Sequence, residues 1–347
     1  MSRRSLATAI AVPLLVGLWV AAALLPVPYV TYHPGSTTDM LSEMGGKERI
    51  QVTGHPAYYD DESGALRMTT VSVTPPQEDV SIFEALTAWV SKEEAVEPYL
   101  AVYDKGETDK QSDTEGAVDM VSSQDAAIVV ALDQLGYHLT PHVQVNDVVA
   151  GAPADGKLRK GDRILEVNGA KVTSTKNVVD AADTGKPMTV VVRRDGKRRT
   201  VQVTPKQTAD GPRIGVSVGP AYDFPFDVSV LIDPRIGGPS AGLMFSLAIY
   251  DTLTPGPLTG GHDIAGTGEI RTDGTVAPIG GIAQKVVGAR DAGAELFLVP
   301  DANCAEALGA PRGDMRLVRV KTMPDALASI QKFVKDPDAD LPSCEKE

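Results

Sequence analysis

The stretch "GGPSAGLMFSLAIY", residues 237–250, places one serine between a glycine-proline turn and an almost entirely apolar run. The run predicts a helix from about residue 241 that is buried on most sides. Two roles are open for Ser240 at the start of this helix. It can cap the helix, a position at which serine is a preferred residue. Alternatively, the turn exposes its hydroxyl as a nucleophile, and the free amides and positive dipole end of the helix stabilise an oxyanion.

A nucleophilic serine needs a base, and the sequence offers a lysine more readily than a histidine. His262 is the one histidine in this part of the chain, and its turn-rich surroundings favour a surface position. Lys285 lies in a predicted helix, on the same apolar face as Ile282 and Val286. Burial lowers the pKa of a lysine, and a neutral amine can accept a proton from serine. The alternative is a lysine whose stem packs while its ammonium group reaches water.

Two motifs resemble the protease domain of the Lon family, which uses a serine-lysine dyad. They are "GGPSAG" at 237–242 and "GTGEIRTDGTVAPIGGIAQKV" at 266–286, within a similarity that spans about residues 207–335. Strands and helices alternate over this region, which is typical of an α/β domain. The resemblance implies that Ser240 is the nucleophile and Lys285 the base. It also implies supporting positions at Thr267, Gly238 and Ala241.

The sequence departs from the Lon pattern at one place. Many Lon enzymes have Lys-Asp before the Gly-Pro-Ser motif, whereas Ile236 and Gly237 occupy those positions here. The chain also has no complete P-loop. The segment "GAPADGK" at 151–157 matches the first seven positions of one, but Leu158 replaces the hydroxyl residue that would hold magnesium. We therefore expect no nucleotide and no other cofactor.

A second segment, "GAPADGKLRKGDRILEVNG" at 151–169, resembles the PDZ domain. PDZ domains bind extended peptides by adding a strand to the edge of a sheet. The family's carboxylate-binding loop has its nearest counterpart in "GYHLTP" at 136–141, which matches poorly. The resemblance therefore implies a groove for extended or internal peptide segments. The predicted peptide-binding residues are Gly136, Tyr137, His138 and Leu139.

The first thirty residues predict a transmembrane signal anchor. Residues 7–25 are uncharged and would span roughly 28 Å as a helix, close to the thickness of a bilayer core. Arg3 and Arg4 would stay on the cytoplasmic side, and the catalytic part would lie outside. A cleaved signal peptide ending near residues 21–23 is the alternative. Anchor, PDZ-like segment and Lon-like domain together resemble the membrane-anchored PDZ–Lon-like proteins of bacteria.

Charge and cysteines exclude several other functions. The net charge of −13 argues against nucleic-acid binding, which needs a basic surface. Cys304 and Cys344 have no further ligands at metal-binding spacing, so we expect no metal site. In an oxidising compartment they could form a disulfide across a loop of about 40 residues, and two free thiols are the alternative.

These observations predict an α/β and α+β multidomain chain. The expected parts are a cytoplasmic stub and transmembrane helix (1–28), a mixed strand and helix region (29–135), a PDZ-like β-barrel domain (136–206), a Lon-protease-like α/β domain (207–335) and a tail (336–347). Within the mixed region, the polar segment at 103–117 predicts a mobile loop.

The predicted function is an ATP-independent, membrane-anchored serine endopeptidase. Its substrates would be unfolded or flexible extracytoplasmic polypeptides that the PDZ-like domain presents. The alternative is a membrane-tethered peptide-binding or chaperone module whose Lon-like domain is catalytically idle. The Lon resemblance also implies self-association into a homo-oligomer.

Overall fold

The computed structural model of the chain describes residues 3–59, 64–209 and 211–345. In the first helix it describes the side chains of residues 7 and 9–20. The chain divides into two units. Unit 1 comprises Met1–Tyr137 and Phe226–Glu347, and unit 2 comprises His138–Pro225. Unit 2 is thus inserted into the sequence of unit 1.

The elements of the described residues follow in chain order. The first part of unit 1 contains α1 (Arg3–Leu24), β1 (Pro26–Val27), β2 (Tyr29–Asp39), β3 (Ile50–Thr53), β4 (Ala65–Val73), β5 (Val80–Ser81), α2 (Ile82–Val90), β6 (Ala95–Pro98), α3 (Tyr99–Val102) and α4 (Asp109–Gln134). Unit 2 contains β7 (His142–Val148), β8 (Arg163–Val167), β9 (Ala170–Lys171), α5 (Thr175–Asp183), β10 (Met188–Arg194), β11 (Lys197–Val203), β12 (Lys206–Thr208), β13 (Gly211–Arg213) and β14 (Val216–Ala221). The second part of unit 1 contains β15 (Asp227–Val230), α6 (Gly242–Leu253), β16 (Asp263–Gly266), β17 (Glu269–Ile270), β18 (Val276–Ala277), α7 (Ile282–Asp291), β19 (Leu296–Pro300), α8 (Cys304–Ala307), β20 (Arg316–Val320) and α9 (Met323–Lys335).

The main sheet of unit 1 contains strands from both parts of this unit, the part before unit 2 and the part after it. Its strand order is β20-β19-β16-β4-β2-β6, and β4 pairs in parallel with β16. The segment before unit 2, which the sequence analysis treated as a separate mixed region, therefore shares a sheet with the segment after it. Helices α6 and α7 both pack against β4. This arrangement brings the start of α6 and the side chains of α7 to the same strand.

Helix α6 is buried along almost its whole length. Leu243, Phe245, Leu247 and Ile249 are all fully buried. Burying a large apolar side chain contributes ~1.5–3 kcal/mol relative to leaving it exposed. The predicted burial of this helix is confirmed, and its starting point is held firmly by the core.

The prediction of a transmembrane helix over residues 7–25 is wrong. Within the described part of the chain, no helix is both long enough and apolar enough to cross a membrane. The side chains of Arg3 and Arg4 lie outside the described residues. The single-pass membrane location and the extracytoplasmic catalytic part depended on this helix and are not supported.

The polar segment at 103–117, which was predicted to be a mobile loop, is partly helical. Helix α4 begins at Asp109, inside this segment. Thr108 accepts a hydrogen bond from the Gln111 amide, and the Gln111 side chain accepts one from the Thr108 amide. This capping box satisfies two backbone donors that would otherwise lack partners at the helix start. The polar composition of the first turns concealed the helix because these turns present no apolar face.

Unit 2 is built on a second sheet, with the order β11-β10-β8-β7-β14 and β9 paired to β8. Its core contains Val145, Leu158, Ile164 and Val190, all almost fully buried. Leu158 packs inward. The segment that resembles a P-loop leads directly into this buried leucine and is therefore part of the packed structure of unit 2.

A disulfide joins Cys304, at the start of α8, to Cys344 in the C-terminal tail. The tail also pairs with β20, because the Arg319 amide donates to the Pro342 carbonyl over 2.8 Å. Leu341 is 4% exposed. The disulfide therefore ties a segment that is already packed onto unit 1.

Candidate active site

Ser240 lies immediately before α6 and does not cap this helix. Ala241 occupies the cap position, without a capping side-chain hydrogen bond, and the helix begins at Gly242. The Ser240 hydroxyl instead lies 2.7 Å from the Lys285 Nζ atom. The hydroxyl therefore points at the predicted base and not at the first turn of the helix.

Lys285 is held inside the core by helix α7. Its neighbours on the helix face, Ile282, Val286 and Ala289, are fully buried, and Lys285 itself is 2% exposed. Burial lowers the pKa of Lys285 from 10.5 to about 7 because the charged ammonium loses its hydration. The alternative in which the ammonium group reaches water does not occur. Near neutral pH a large share of the amine is unprotonated.

Thr267 completes a triangle with the serine and the lysine. Lys285 Nζ lies 3.0 Å from Thr267 Oγ1, and this oxygen donates to the Ser240 carbonyl over 3.0 Å. Thr267 is fully buried and directly follows β16. A single hydroxyl thus contacts both the amine of Lys285 and the backbone of Ser240.

The backbone around Ser240 leaves two amides available. The Ser240 carbonyl accepts from the Gly268 amide over 2.8 Å as well as from Thr267. Neither the Ser240 amide nor the Ala241 amide donates to an acceptor within residues 3–59, 64–209 and 211–345. Both amides stand at the N-terminus of α6, where the helix dipole favours negative charge. The amide of Gly238, which was predicted as a supporting residue, donates to the Gly116 carbonyl over 2.9 Å.

Helix α4 contacts the serine loop, residues 237–240, and this contact was not predicted from the sequence. Ser123 donates from Oγ to the Pro239 carbonyl over 2.9 Å. Gly116 and Gly237 meet backbone to backbone: a Cβ atom on Gly237 would lie 3.0 Å from the Gly116 Cα atom. A glycine inside a helix costs about 1 kcal/mol relative to alanine, so an isolated one indicates a packing constraint. Gly116 gave no such signal in the sequence, because it lies in the segment at 103–117 that was predicted as a loop.

A cavity of about 170 Å³ opens at the serine and the lysine. Beside these two residues, its walls include Met68 and Val71 of β4 and Met120 of α4. The lining is mixed, because Thr69, Thr70 and Arg235 also contribute to it, and residues 237–238 and 240–241 line one side. The space fits a peptide side chain next to the hydroxyl.

The predicted peptide-binding residues lie elsewhere. Gly136 and Tyr137 belong to unit 1, where they end α4: the Tyr137 amide donates to the Leu132 carbonyl and the Gly136 amide to the Asp133 carbonyl. Gly136 has a φ of 87°, and this pattern is the Schellman motif that terminates many helices. His138 and Leu139 begin unit 2 but precede its first strand. None of these four residues lies in the edge strand of the unit 2 sheet.

That edge strand is β14, which pairs with β7 on one side only within the described sheet. Helix α5 packs beside it. Asp183 of α5 pairs with Arg213 in the preceding strand, at 2.9 Å. Val179 lies one turn earlier on the same helix face and is 46% exposed. The sequence "IGVSV" at 214–218 alternates like a strand, but it lies beyond the boundary predicted for the PDZ-like domain.

The comparisons with known proteins find both domains. Residues 234–331 match the family model of the Lon protease (S16) C-terminal proteolytic domain, and residues 118–204 match that of the PDZ domain. A stretch of 145 residues is 34% identical to a Lon protease of Campylobacter concisus and covers 40% of this chain and 18% of that protein. A stretch of 94 residues is 43% identical to Lon protease 1 of Sorangium cellulosum and covers 26% of this chain and 11% of that protein.

The chain spans less than a fifth of the length of these two relatives. Among solved structures, the PDZ domain of the SdrC-like protein from Listeria innocua is similar at 24% identity and a TM-score of 0.21, over 22% of this chain and 92% of that one. The predicted enzyme class, a serine peptidase, is supported by the Lon match and the Lon relatives. The chain thus contains a Lon-type proteolytic domain and a PDZ domain.

Proposed function

We propose that the chain is a serine endopeptidase in which Ser240 is the nucleophile and Lys285 the general base. The observation that carries this proposal is the 2.7 Å contact between the hydroxyl and an amine that is 2% exposed. A dry amine with a pKa of about 7 is a base matched to neutral pH. The triangle with Thr267 keeps the amine aimed at the hydroxyl.

In the proposed mechanism, Lys285 Nζ takes the Ser240 proton while Oγ attacks a peptide carbonyl carbon. The carbonyl oxygen becomes an oxyanion and accepts hydrogen bonds from the Ser240 and Ala241 amides. The Lys285 ammonium then gives its proton to the departing amine. Water activated by the neutral Lys285 hydrolyses the acyl-enzyme and restores the serine.

We place the substrate backbone along β4. This strand pairs with β16 only as far as Met68, while it continues to Val73. On the β16 side, residues 69–73 therefore have no strand partner within the described sheet, and residues 68–71 line the cavity. An extended peptide can pair with this free stretch and present its carbonyl to Ser240. Such a substrate must be unfolded or flexible, because a folded chain cannot enter as a strand.

The first test uses the full chain and unfolded casein, without ATP. We expect the wild type to cleave casein and Ser240→Ala to show no cleavage above background, because the nucleophile is gone. Ser246→Ala is the matched control, since Ser246 lies on the same helix and its hydroxyl donates to the Leu243 carbonyl. Gel analysis with mass spectrometry of the fragments measures cleavage. Casein binding without cleavage by the wild type would instead support the peptide-binding module with an idle proteolytic domain.

For peptide capture, we propose the groove between β14 and α5 of unit 2. Its edge strand can accept an added strand, and the exposed Val179 provides an apolar contact for the peptide. We expect Val179→Glu to raise the KM for casein by about 3- to 10-fold, as the loss of one buried apolar contact implies. A short peptide substrate should keep its KM. Lys197→Gln on β11, at the other edge of the sheet, is the control, and an unchanged KM for casein in Val179→Glu would contradict this assignment.

A further inference from the structure

The peptide group between Pro239 and Ser240 is held by a helix from the first part of unit 1. Its carbonyl oxygen accepts the Ser123 hydroxyl at 2.9 Å, and Ser123 is 3% exposed. Ser123 belongs to α4, more than a hundred residues before the serine, and lies outside the Lon match at 234–331. The contact therefore comes from a part of the chain to which that match assigns no function.

Holding this oxygen fixes the direction of the Ser240 amide. A trans peptide group is planar, so its C=O and N–H bonds point in opposite directions and cannot turn independently. The next peptide group is fixed in the same way, because Thr267 and the Gly268 amide hold the Ser240 carbonyl. That second anchor sets the direction of the Ala241 amide. Each of the two amides near the nucleophile is thus oriented through the carbonyl behind it.

We propose that Ser123 is a positioning residue for catalysis: its hydroxyl aligns the Ser240 amide as an oxyanion donor. This inference rests on the proposed function. The Gly116 carbonyl supports the same loop by accepting the Gly238 amide at 2.9 Å. Helix α4 therefore fixes the loop at two peptide groups, one on each side of the Gly238–Pro239 bond. Ser123 acts through the backbone and does not touch the substrate.

The test replaces Ser123 by alanine in the full chain. A misdirected oxyanion donor loses most of its value, and removing such a donor costs about 10²–10³ in kcat. Because the amide is still present, we expect kcat to fall about 10- to 100-fold while KM changes less than about twofold. Ser122→Ala is the control, since Ser122 is the preceding residue on α4 and is exposed. Ser123→Cys keeps a weaker donor of similar shape and should give an intermediate kcat.

Two readouts separate positioning from a loss of folded enzyme. A peptide boronic acid forms a B–O bond with Ser240 Oγ, passes the serine proton to Lys285 and becomes a tetrahedral boronate anion with one boron-bound hydroxyl at the oxyanion position. In calorimetry, Ser123→Ala should bind it with unchanged stoichiometry but an affinity reduced in parallel with kcat. In Ser123→Ala the midpoint pH of the pH-rate profile should be unchanged, since Lys285 is not altered. The rate at the plateau of the profile should fall.

The outcomes distinguish this inference from the function on which it rests. A wild type that cleaves casein, with a Ser123→Ala kcat within twofold of it, would overturn the positioning role alone. Reduced boronate stoichiometry with unchanged affinity would overturn it too, because the loss would then be one of folded enzyme. A wild type that neither cleaves casein nor binds the boronic acid would overturn both proposals.

Discussion

Lys285→Met is expected to lower peptide hydrolysis by about 10²–10⁴-fold above pH 7, where the wild-type amine is neutral, since the variant has no general base. Methionine is similar in length to lysine and can fill the same buried space. Lys332→Met is the matched control, because Lys332 is exposed on α9 and should leave the rate unchanged. The measurement is kcat/KM for a fluorogenic peptide. A Lys285→Met rate within tenfold of the wild type would contradict the role of the amine.

The pH dependence of the wild type provides the internal check. Only the neutral amine accepts the proton, and its pKa is about 7. Below pH 7 the rate should therefore fall about tenfold per pH unit, and it should level off above about pH 8. A rate that is constant between pH 5 and 7 would contradict the role of a neutral amine with a pKa near 7 as the general base.

The same lysine links stability to pH with a definite sign. Between pH 7 and its ordinary pKa of 10.5, the unfolded chain binds a proton at Lys285 that the folded chain does not. The free energy of unfolding therefore rises with pH across this window. Below pH 7 the cost of burying the ammonium group is present in full, on the order of 5 kcal/mol. The stability difference between Lys285→Met and the wild type should be largest there and vanish toward pH 10.5.

Removing the disulfide should produce the second large effect. The bond between Cys304 and Cys344 closes a loop with a sequence separation of 40, and the chain-entropy relation gives about 4 kcal/mol for such a loop. We expect Cys344→Ser to lower the free energy of unfolding of unit 1 by about 3–4 kcal/mol. Urea titration followed by circular dichroism measures the change.

Reduction supplies the control for this prediction. Wild type treated with a reductant should match Cys344→Ser, because both lose the same constraint on the unfolded chain. The double variant Cys304→Ser with Cys344→Ser should add little more. If oxidised and reduced wild type unfolded at the same urea concentration, the tail would be held by its packing alone, through Leu341 and the pairing with β20.

The sequence was most informative where chemistry and periodicity coincide. Ser240 and Lys285 were paired from a glycine-proline turn and an apolar helix face, and the structure brings their side chains into contact. Their catalytic roles remain a prediction. Burial of the lysine could be read from its helix because residues three and four positions apart share a face. A contact with a helix more than a hundred residues away has no such local signal, so the role of Ser123 was invisible.

Errors arose where composition was taken as the guide to structure. The polar start of α4 was interpreted as a loop because it lacks an apolar stripe, although the residues of its capping box could be read from the sequence. The predicted peptide-binding loop precedes the first strand of unit 2, and the edge strand β14 is its last strand; the peptide-binding role of the loop stays a prediction. The transmembrane interpretation relied on hydrophobicity alone and is not supported by the helices that the structure describes.

The two points at which the chain leaves and re-enters unit 1 lie side by side. The rings of Tyr137 and Phe226 are 5.5 Å apart, and His55 stacks on Phe226 while bonding to the Tyr137 hydroxyl. Unit 1 therefore has no gap that residues 138–225 must bridge, and closing its chain across this junction costs little conformational entropy. An inserted segment of a different length could therefore begin and end at the same two residues without changing the distance that unit 1 must close.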